Sequence, residues 1–325
     1  MPDAAGLLYL SRADVERAGL DMPTVVALLE TAFREKAEGR VEMPPKPGIH
    51  TKPDSFIHAM PAYIPALAAA GVKWVSGYPD NQSHGLPYIS GLLVLNDVAT
   101  GIPYAVMDCT WITAVRTGAA TALAARHLAR PDSDTAGILA CGVQGRANLL
   151  ALSGLFKLRR VYAFDTRRDV QAAFIREMSE QLGLEVVGVD EPRQAVEQAD
   201  LIVTAGPILH EPHATIQGGW VRPGSFASAV DFDSYWSGAA LAGFDRISTD
   251  DLEQFSYYRG QGYFQSTPEP YAELGEIVAG IKPGRLRPEE RTMAINLGIA
   301  LEDMAVAPEV HRRAIEMGLG TRLQL

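Results

Sequence analysis

The chain contains little cysteine, since only Cys109 and Cys141 occur among its 325 residues, each in an apolar segment. Neither has CxxC or metal-ligand spacing, which argues against a disulfide-stabilised secreted protein and against a cysteine-based metal site. Isolated cysteines of this kind are typical of buried thiols in a reducing compartment. We therefore expect a cytoplasmic protein that binds no metal.

Long apolar runs and clustered positive charge are also missing. No apolar stretch approaches the roughly 20 residues that a membrane-spanning helix needs. Residues 1–20 lack the basic start and apolar core of a signal peptide. The formal net charge is −10, and no basic stripe offers a surface for phosphate backbones. We therefore expect neither a membrane segment nor a nucleic-acid partner.

The N-terminal third has the pattern of a mixed helical and strand region. Residues 10–38 carry apolar residues at helical spacing, and Ser11 can cap a helix there. The segments between residues 41 and 108 predict strands joined by turns that contain Gly, Pro and Asn. Residues 111–130 then predict a long Ala-rich helix.

After residue 134 the pattern changes, because short apolar segments alternate with helical stretches of about 10 to 15 residues. This alternation predicts an α/β fold with a Rossmann-type doubly wound parallel sheet. Residues 287–320 predict mostly helix. We assign residues 119–298 to the Rossmann domain, and residues 1–118 with 299–325 to a smaller α+β domain.

A candidate nucleotide site lies in the segment from Ala140 to Gly145, between a predicted strand and a predicted helix. It matches the G-x-G-x-x-G fingerprint, except that Ala140 stands at the first glycine. Glycine lets the backbone approach a pyrophosphate, and the N–H groups of the following helix point at it. Small residues also occur in plain strand–helix turns. The βα context nevertheless favours a dinucleotide site.

Asp165 follows Gly142 by 23 residues, close to the spacing of about 20 expected for the carboxylate that binds the adenosine ribose. Such an acid favours NAD, since it repels the 2′-phosphate of NADP. Arg167 and Arg168 come next and could bind that phosphate instead, or the three charges could form a solvated turn. We expect NAD, with NADP as the alternative.

Several charged residues lie where packing alone does not need them. Lys73 lies in an apolar strand, where desolvation would lower its pKa toward neutrality, although a strand lysine can also extend to water. Arg116 offers a planar fork for a carboxylate, and Thr117 with the helix N-terminus offers phosphate donors; an ordinary solvated helix is the alternative. His50 and His58 could relay protons or serve structural roles.

Several blocks of the sequence together resemble the ornithine cyclodeaminase/mu-crystallin family. They are GVKW, GLPYISGLLVLND, ITAVRTGAATALAARHLAR, the GVQ turn, ELGEIVAGIKPGR and LGIALEDMAVA. The resemblance covers nearly the whole chain. It implies a homodimer, with the smaller domain serving substrate binding and dimerisation. It also implies transfer of a hydride between NAD(P) and the α-carbon of an amino acid, with an imine as product or substrate.

The resemblance also implies roles for individual residues. Lys73, near the substrate carboxylate, and Asp231, facing the amino nitrogen, would be catalytic. Lys46, Arg116 and Met60 would bind the substrate. The dinucleotide would be held by Thr117, Gly142, Val143, Gln144, Gly145, Asp165, Thr166, Arg167 and Ala205. Asp233 competes with Asp231 for its role, and either acid could simply cap the following helix.

Three departures from the family pattern affect the choice of substrate. Ala140 replaces a glycine, Lys46 stands where we expect arginine, and FDSYWSGAA follows Asp231 in place of a Pro-Gly-Lys type turn. These differences argue against ornithine. We expect an NAD(H)-dependent amino-acid dehydrogenase or imine reductase. The alternatives are a cyclodeaminase-type ammonia lyase that uses NAD catalytically, and a mu-crystallin-like ligand-binding protein without activity.

Overall fold

The computed structural model describes residues 6–325. Its strands are β1 (Leu7–Leu10), β2 (Gly48–Ile49), β3 (Phe56–Ile64), β4 (Ala69–Gly77), β5 (Ile89–Asn96), β6 (Pro103–Asp108), β7 (Thr135–Leu139), β8 (Arg160–Phe164), β9 (Glu185–Gly188), β10 (Leu201–Thr204), β11 (Phe226–Ala229), β12 (Arg246–Thr249), β13 (Ala272–Glu273), β14 (Thr292–Ile295) and β15 (Thr321–Leu323). Its helices are α1 (Arg12–Ala18), α2 (Met22–Ala37), α3 (Thr110–Leu128), α4 (Val143–Ser153), α5 (Arg168–Leu182), α6 (Pro192–Glu197), α7 (Gly238–Leu241), α8 (Leu252–Gly260), α9 (Leu274–Val278) and α10 (Ala300–Glu316).

The chain divides into two compact units. The first comprises the described residues up to Arg116 together with Ile299–Leu325, and the second comprises Thr117–Gly298. None of the helices in residues 6–325 has the length and apolar character needed to cross a membrane.

The first unit contains a sheet of seven strands in the order β15-β1-β6-β5-β4-β3-β2. Strands β3 to β6 form an antiparallel meander, while β1 pairs in parallel with β6. Alternate residues of each strand point to opposite faces, so Met60, Ala62 and Ile64 of β3 are buried on one face. Helix α10 packs on β3 and β4 and against α1 and α2. This helix therefore covers the inner face of the sheet.

The predicted helical start of the chain is confirmed. Ser11 accepts a hydrogen bond from the backbone of Asp14, whose side chain in turn accepts from the Ser11 N–H, and this capping box begins α1. Asp21 begins α2 as a simple N-cap, since its side chain accepts a hydrogen bond from the N–H of Thr24.

The second unit contains an eight-stranded sheet in the order β13-β12-β14-β11-β10-β7-β8-β9, with all the described strand pairs parallel. From β7 the chain proceeds to β8 and β9 on one side, and then returns to β10 and β11 on the other. Ligands of such sheets bind at this switch point, beyond the carboxyl ends of the strands. The predicted α/β class with a Rossmann-type sheet is confirmed.

The prediction for the C-terminal segment was wrong in one part: helix α10 is present at Ala300–Glu316, but the residues before it are not helical. Residues 287–320 were expected to be mostly helical, but Thr292–Ile295 forms β14, which lies between β11 and β12. The four residues are buried in the middle of the sheet, and that tertiary burial decides their conformation.

Candidate active site

The first unit buries a lysine that the sequence singled out. Lys73 lies on the inner face of β4, opposite Met60 of β3, and only 1% of its surface is exposed. Its Nζ lies 2.6 Å from Oδ2 of Asp303 in the first turn of α10. Burial lowers the pKa of Lys73, while the negative charge of Asp303 opposes that shift. The alternative in which Lys73 extends to water is therefore wrong.

Arg116 is buried beside the same helix. Its guanidinium pairs with the carboxylate of Glu302, and its Nε lies 3.5 Å from Oδ1 of Asp303. The solvated-helix alternative is therefore wrong. The expected link between Thr117 and a helix N-terminus is also wrong, because α3 already begins at Thr110, where Asp108 accepts the hydrogen bond of the first N–H. Only the Thr117 side chain can serve a ligand, since its N–H lies inside the helix.

The other predicted substrate residues of this unit are buried as well. Lys46, His58 and Met60 each have less than a tenth of their surface exposed. Burial lowers the pKa of His58 to about 2, and the positive charges of Lys46 and Lys73 act in the same direction. His58 is therefore neutral and stacks on Phe56, with 4.3 Å between the ring centroids.

His50 has a structural contact of its own. Its Nδ1 lies 3.0 Å from the carbonyl oxygen of Ser55. This contact is the kind expected of a hydrogen-bonded structural histidine.

Sequence reasoning missed Glu302 and Asp303. Both lie in the block LGIALEDMAVA, which supported the family resemblance, but neither was considered for the site. Both side chains are fully buried. The available signal was a pair of adjacent acids at the start of an otherwise apolar helix, where the helix dipole favours negative charge.

The second unit contains the predicted dinucleotide turn after β7. Helix α4 begins at Val143, and its N-cap, Gly142, has no side chain that could cap the first N–H groups. A Cβ added at Gly142 would meet no atom within 4 Å, whereas one at Gly145 would lie 2.4 Å from the carbonyl oxygen of Ala140. The turn thus offers open space beside Gly142, at the N-terminus of α4. This arrangement fits a pyrophosphate.

Ala140 adopts a conformation that favours glycine. Its φ is +75°, in the left-handed region where a Cβ costs roughly 1–2 kcal/mol. The alanine that replaces the first glycine of the fingerprint therefore strains the backbone at this turn.

Asp165 directly follows β8, next to this turn. Its Oδ2 accepts a 2.8 Å hydrogen bond from the N–H of Cys141, and its Oδ1 accepts one of 2.9 Å from Arg167. With 8% of its surface exposed, Asp165 is not part of a solvated turn. Thr166 and Arg167 are exposed beside it. A carboxylate has about four acceptor positions, so Asp165 can still accept ribose hydroxyls.

Asp231 lies beyond the carboxyl end of β11 and is fully buried. Its Oδ1 accepts a 2.7 Å hydrogen bond from the Thr204 hydroxyl, and its Oδ2 accepts one of 2.9 Å from the N–H of Gly206. Burial raises the pKa of Asp231 to about 7, although both hydrogen bonds favour the charged form. Between these two donors, the N–H of Ala205 bonds to Leu139 at the end of β7.

Asp233 has a different environment, because its Oδ2 accepts from the Thr267 hydroxyl at 2.9 Å. Neither acid caps the next helix, since Ser237 caps α7. Phe232, between the two acids, has a φ of +60°, and its ring packs on Tyr258 with 5.2 Å between centroids. This packing holds the turn that carries Asp231 in a strained conformation.

Comparison with known proteins places this chain among relatives of nearly equal length. The model of the "Ornithine cyclodeaminase/mu-crystallin family" matches residues 8–318. The chain belongs to the ornithine cyclodeaminase/mu-crystallin family. The nodulation efficiency protein NfeD of Rhizobium meliloti is 33% identical over 327 residues, with 98% of each chain covered.

Two solved structures are also similar. A Δ1-pyrroline-2-carboxylate reductase of Thermococcus litoralis, in complex with NADH and L-proline, is 34% identical with a TM-score of 0.89, and the match covers 98% of this chain and 100% of that one. An archaeal alanine dehydrogenase dimer with bound NAD is 32% identical with a TM-score of 0.87, and the match covers 98% and 99%. In residues 6–325, no group of three or more His, Cys, Asp or Glu side chains is placed to hold a metal ion.

Proposed function

We propose that this protein is an NAD(H)-dependent oxidoreductase that acts on the α-carbon of an L-amino acid or on the corresponding imine. The observation that carries the proposal is the burial of Lys73 and Arg116 within a chain that also contains the dinucleotide turn. Keeping charged side chains out of water is costly even when they are paired, as these are with Asp303 and Glu302, and a substrate carboxylate is a ligand that both cations suit. The reductase and dehydrogenase relatives support the same chemistry.

The first unit would bind the substrate carboxylate. Its buried charged side chains are three cations and two carboxylates: Lys46, Lys73, Arg116, Glu302 and Asp303. An incoming carboxylate balances the excess positive charge. Met60, opposite Lys73, would contact the apolar part of the substrate. Holding the carboxylate in this way orients the α-carbon before any proton or hydride moves.

Asp231 would act at the substrate nitrogen. A carboxyl group that titrates near pH 7 can accept a proton from an ammonium or return it to an amine. In its ionised form it stabilises the positive charge of an iminium. The hydroxyl of Thr204 and the N–H of Gly206 hold its two oxygens in place. Lys73, whose pKa is lowered by burial, would supply the second exchangeable proton.

The second unit would hold the dinucleotide, which when bound accepts or returns a hydride at the substrate α-carbon. The N–H groups that begin α4, at Val143, Gln144 and Gly145, would bind the pyrophosphate. Asp165 would accept the ribose hydroxyls, and this favours NAD over NADP. The remaining contacts would come from Thr117, Thr166, Arg167 and Ala205.

We also infer a homodimer formed through the outer face of the seven-stranded sheet. Trp74 of β4 and Leu92 of β5 lie side by side on that face, with 51% and 43% of their surfaces exposed. Tyr9 and Tyr63 are exposed on the same face. Several large apolar side chains exposed on one face favour an interaction surface there, and the similar archaeal alanine dehydrogenase is a dimer.

The test is a turnover assay that follows the absorbance of NADH and of NADPH with purified protein. The panel contains 2-oxo acids with ammonia or methylamine, and cyclic imino acids. We expect oxidation of NADH with at least one of them. Lys73→Ala should lower kcat/KM by about 10²- to 10⁴-fold, and Lys157→Ala, at an exposed lysine, should leave it unchanged.

Each other outcome indicates a different function. Release of ammonia from a diamino acid without net change in NADH would indicate the cyclodeaminase reaction. No turnover in either assay, with tight NADH binding, would indicate a binding protein and overturn the proposal.

A further inference from the structure

One carboxylate in the first unit contacts two of its three buried cations. Oδ2 of Asp303 lies 2.6 Å from Nζ of Lys73, and Oδ1 lies 3.5 Å from Nε of Arg116. The three side chains come from β4, α3 and α10, which are far apart in the sequence. Asp303 therefore bridges two cations that lie on different secondary-structure elements, and it links their positions to each other.

We propose that Asp303 is the positioning residue of the carboxylate-binding site, where it fixes the spacing of Lys73 and Arg116 and keeps Lys73 charged. This inference rests on the proposed function, because it assumes that both cations bind a substrate carboxylate. Glu302 is the second partner of Arg116, because its carboxylate pairs with Nη1 of the guanidinium, whereas Asp303 lies near Nε. Neither acid needs to touch the substrate.

The start of α10 is suited to carry this negative charge. Its N-cap residue, Ile299, provides no side-chain hydrogen bond to the first turn. Glu302 and Asp303 lie in that turn, where the positive end of the helix dipole stabilises carboxylates. Because α10 packs on β3 and β4, the helix carries both acids to the inner face of the sheet.

The charge of Lys73 depends on a small set of neighbours. Two charged groups act on it, Asp303 of α10 and Arg116 of α3. Two further titratable groups lie near it, Cys109 at the junction of β6 and α3 and His58 of β3. Cys109 and His58 are neutral at pH 7, because burial raises the pKa of the thiol to about 11 and lowers that of the imidazole to about 2. Asp303 is then the carboxylate that opposes both burial and the repulsion from Arg116.

The first arm of the test measures Lys73 directly in the protein without ligands. The chain has six lysines, so ¹³C-labelled lysine should give few side-chain NMR signals, and the Lys73→Arg variant assigns the one of interest. We expect Asp303→Asn to shift the titration of Lys73 down by about 1 to 3 pH units, since an adjacent opposite charge is worth that much.

A matched control uses another buried acid that pairs with an arginine. Glu290 is buried and lies 3.3 Å from Arg246 in the second unit. Glu290→Gln should lower stability but leave the Lys73 titration where it is. A shift of equal size in this control would show a general loss of structure and overturn the proposal.

The second arm tests the spacing of the two cations. Asp303→Glu keeps the charge but lengthens the bridge, so the Lys73 titration should stay close to that of the wild type. The KM for the carboxylate substrate should nevertheless rise by about tenfold or more, because displaced anchors misplace the substrate. If Asp303 only stabilised the fold, Asp303→Glu would lower the melting temperature, but the KM would not rise while the Lys73 titration stayed unchanged.

The results of the two arms decide the proposal. An unshifted Lys73 titration in folded Asp303→Asn, or an unchanged KM in Asp303→Glu, would overturn it. If Asp303→Asn does not fold, the KM of Asp303→Glu decides. If the wild-type protein turns over no substrate of the panel, the proposed function fails, while the NMR arm still decides whether Asp303 keeps Lys73 charged.

Discussion

The hydroxyl of Thr204 donates a 2.7 Å hydrogen bond to Oδ1 of Asp231, and the indole N–H of Trp236 donates to the same hydroxyl at 3.1 Å. Both donors lie in the buried interior of the second unit. The hydrogen bond from Thr204 favours the ionised form of Asp231, although burial raises the pKa of this acid to about 7. The Thr204 hydroxyl and the N–H of Gly206 therefore both oppose the effect of burial on the protonation of Asp231.

This relationship predicts how activity depends on pH. The pH profile of kcat/KM should show a transition near pH 7 that is absent in Asp231→Asn. Thr204→Val removes a donor that favours the charged carboxylate, so its transition should lie at higher pH. A steady-state profile between about pH 5 and pH 9 measures both. If the wild-type and Thr204→Val transitions coincide, Asp231 is not the group that titrates.

The same acid predicts how stability depends on pH. The pKa of Asp231 is about 7 in the folded protein and about 3.9 in an unfolded chain. Its contribution to stability is therefore complete below about pH 4 and is lost as the pH rises toward 7. Asn cannot ionise. Between pH 5 and pH 7 the free energy of unfolding of the wild type should thus fall by roughly 1–3 kcal/mol relative to that of Asp231→Asn.

Urea unfolding at the two pH values measures this difference. A constant difference between the two proteins would contradict the raised pKa. Asp231→Ala is a poorer comparison, since it also leaves the Thr204 hydroxyl without its acceptor.

Ala140 predicts a stabilising substitution. Because the φ of Ala140 is +75°, Ala140→Gly removes a steric cost of roughly 1–2 kcal/mol. The greater conformational freedom of glycine in the unfolded chain offsets about half of this gain in stability. We expect a net gain of about 0.5–1 kcal/mol in urea unfolding. Ala151→Gly, in the interior of α4, should instead lose about 1 kcal/mol. Equal losses in both variants would show that Ala140 is not strained.

The two glycines of the dinucleotide turn predict separable effects. Gly142→Ala places its Cβ in open space, so the melting temperature should stay within a degree or two while the Kd for NADH rises at least about tenfold. Gly145→Ala directs its Cβ at the carbonyl oxygen of Ala140 and should lower the melting temperature by several degrees. Thermal unfolding and NADH fluorescence titration measure the two effects. If Gly142→Ala leaves the affinity for NADH unchanged, the pyrophosphate does not bind at this turn.

The sequence predicted the Rossmann unit well because its signals are local. A strand, a glycine turn and a helix follow one another within about 20 residues, and the acid after the next strand has a fixed spacing. Strand β14 was missed for the opposite reason. The four residues TMAI have no period of their own, and only pairing with β11 and β12 makes them a strand.

The candidate site of the first unit was predicted in part. Lys73 stood out because a charge in an apolar strand is rare. Glu302 and Asp303 did not, since two acids in the first turn of a helix are common on protein surfaces. Their burial follows from the packing of α10 on the sheet, and this packing joins residues more than 180 positions apart.

The outer face of the seven-stranded sheet predicts how the protein assembles. Trp74 and Leu92 point away from α10, so Trp74→Glu with Leu92→Glu should leave the fold intact, as circular dichroism can show. In a two-fold interface each residue occurs twice, and each large apolar side chain contributes roughly 1.5–3 kcal/mol when buried. In sedimentation equilibrium at micromolar concentration we therefore expect the wild type to be a dimer and the double variant to be a monomer. Tyr257→Glu, at an exposed aromatic residue of α8, should remain dimeric, and persistence of the dimer in the double variant would place the interface on another surface.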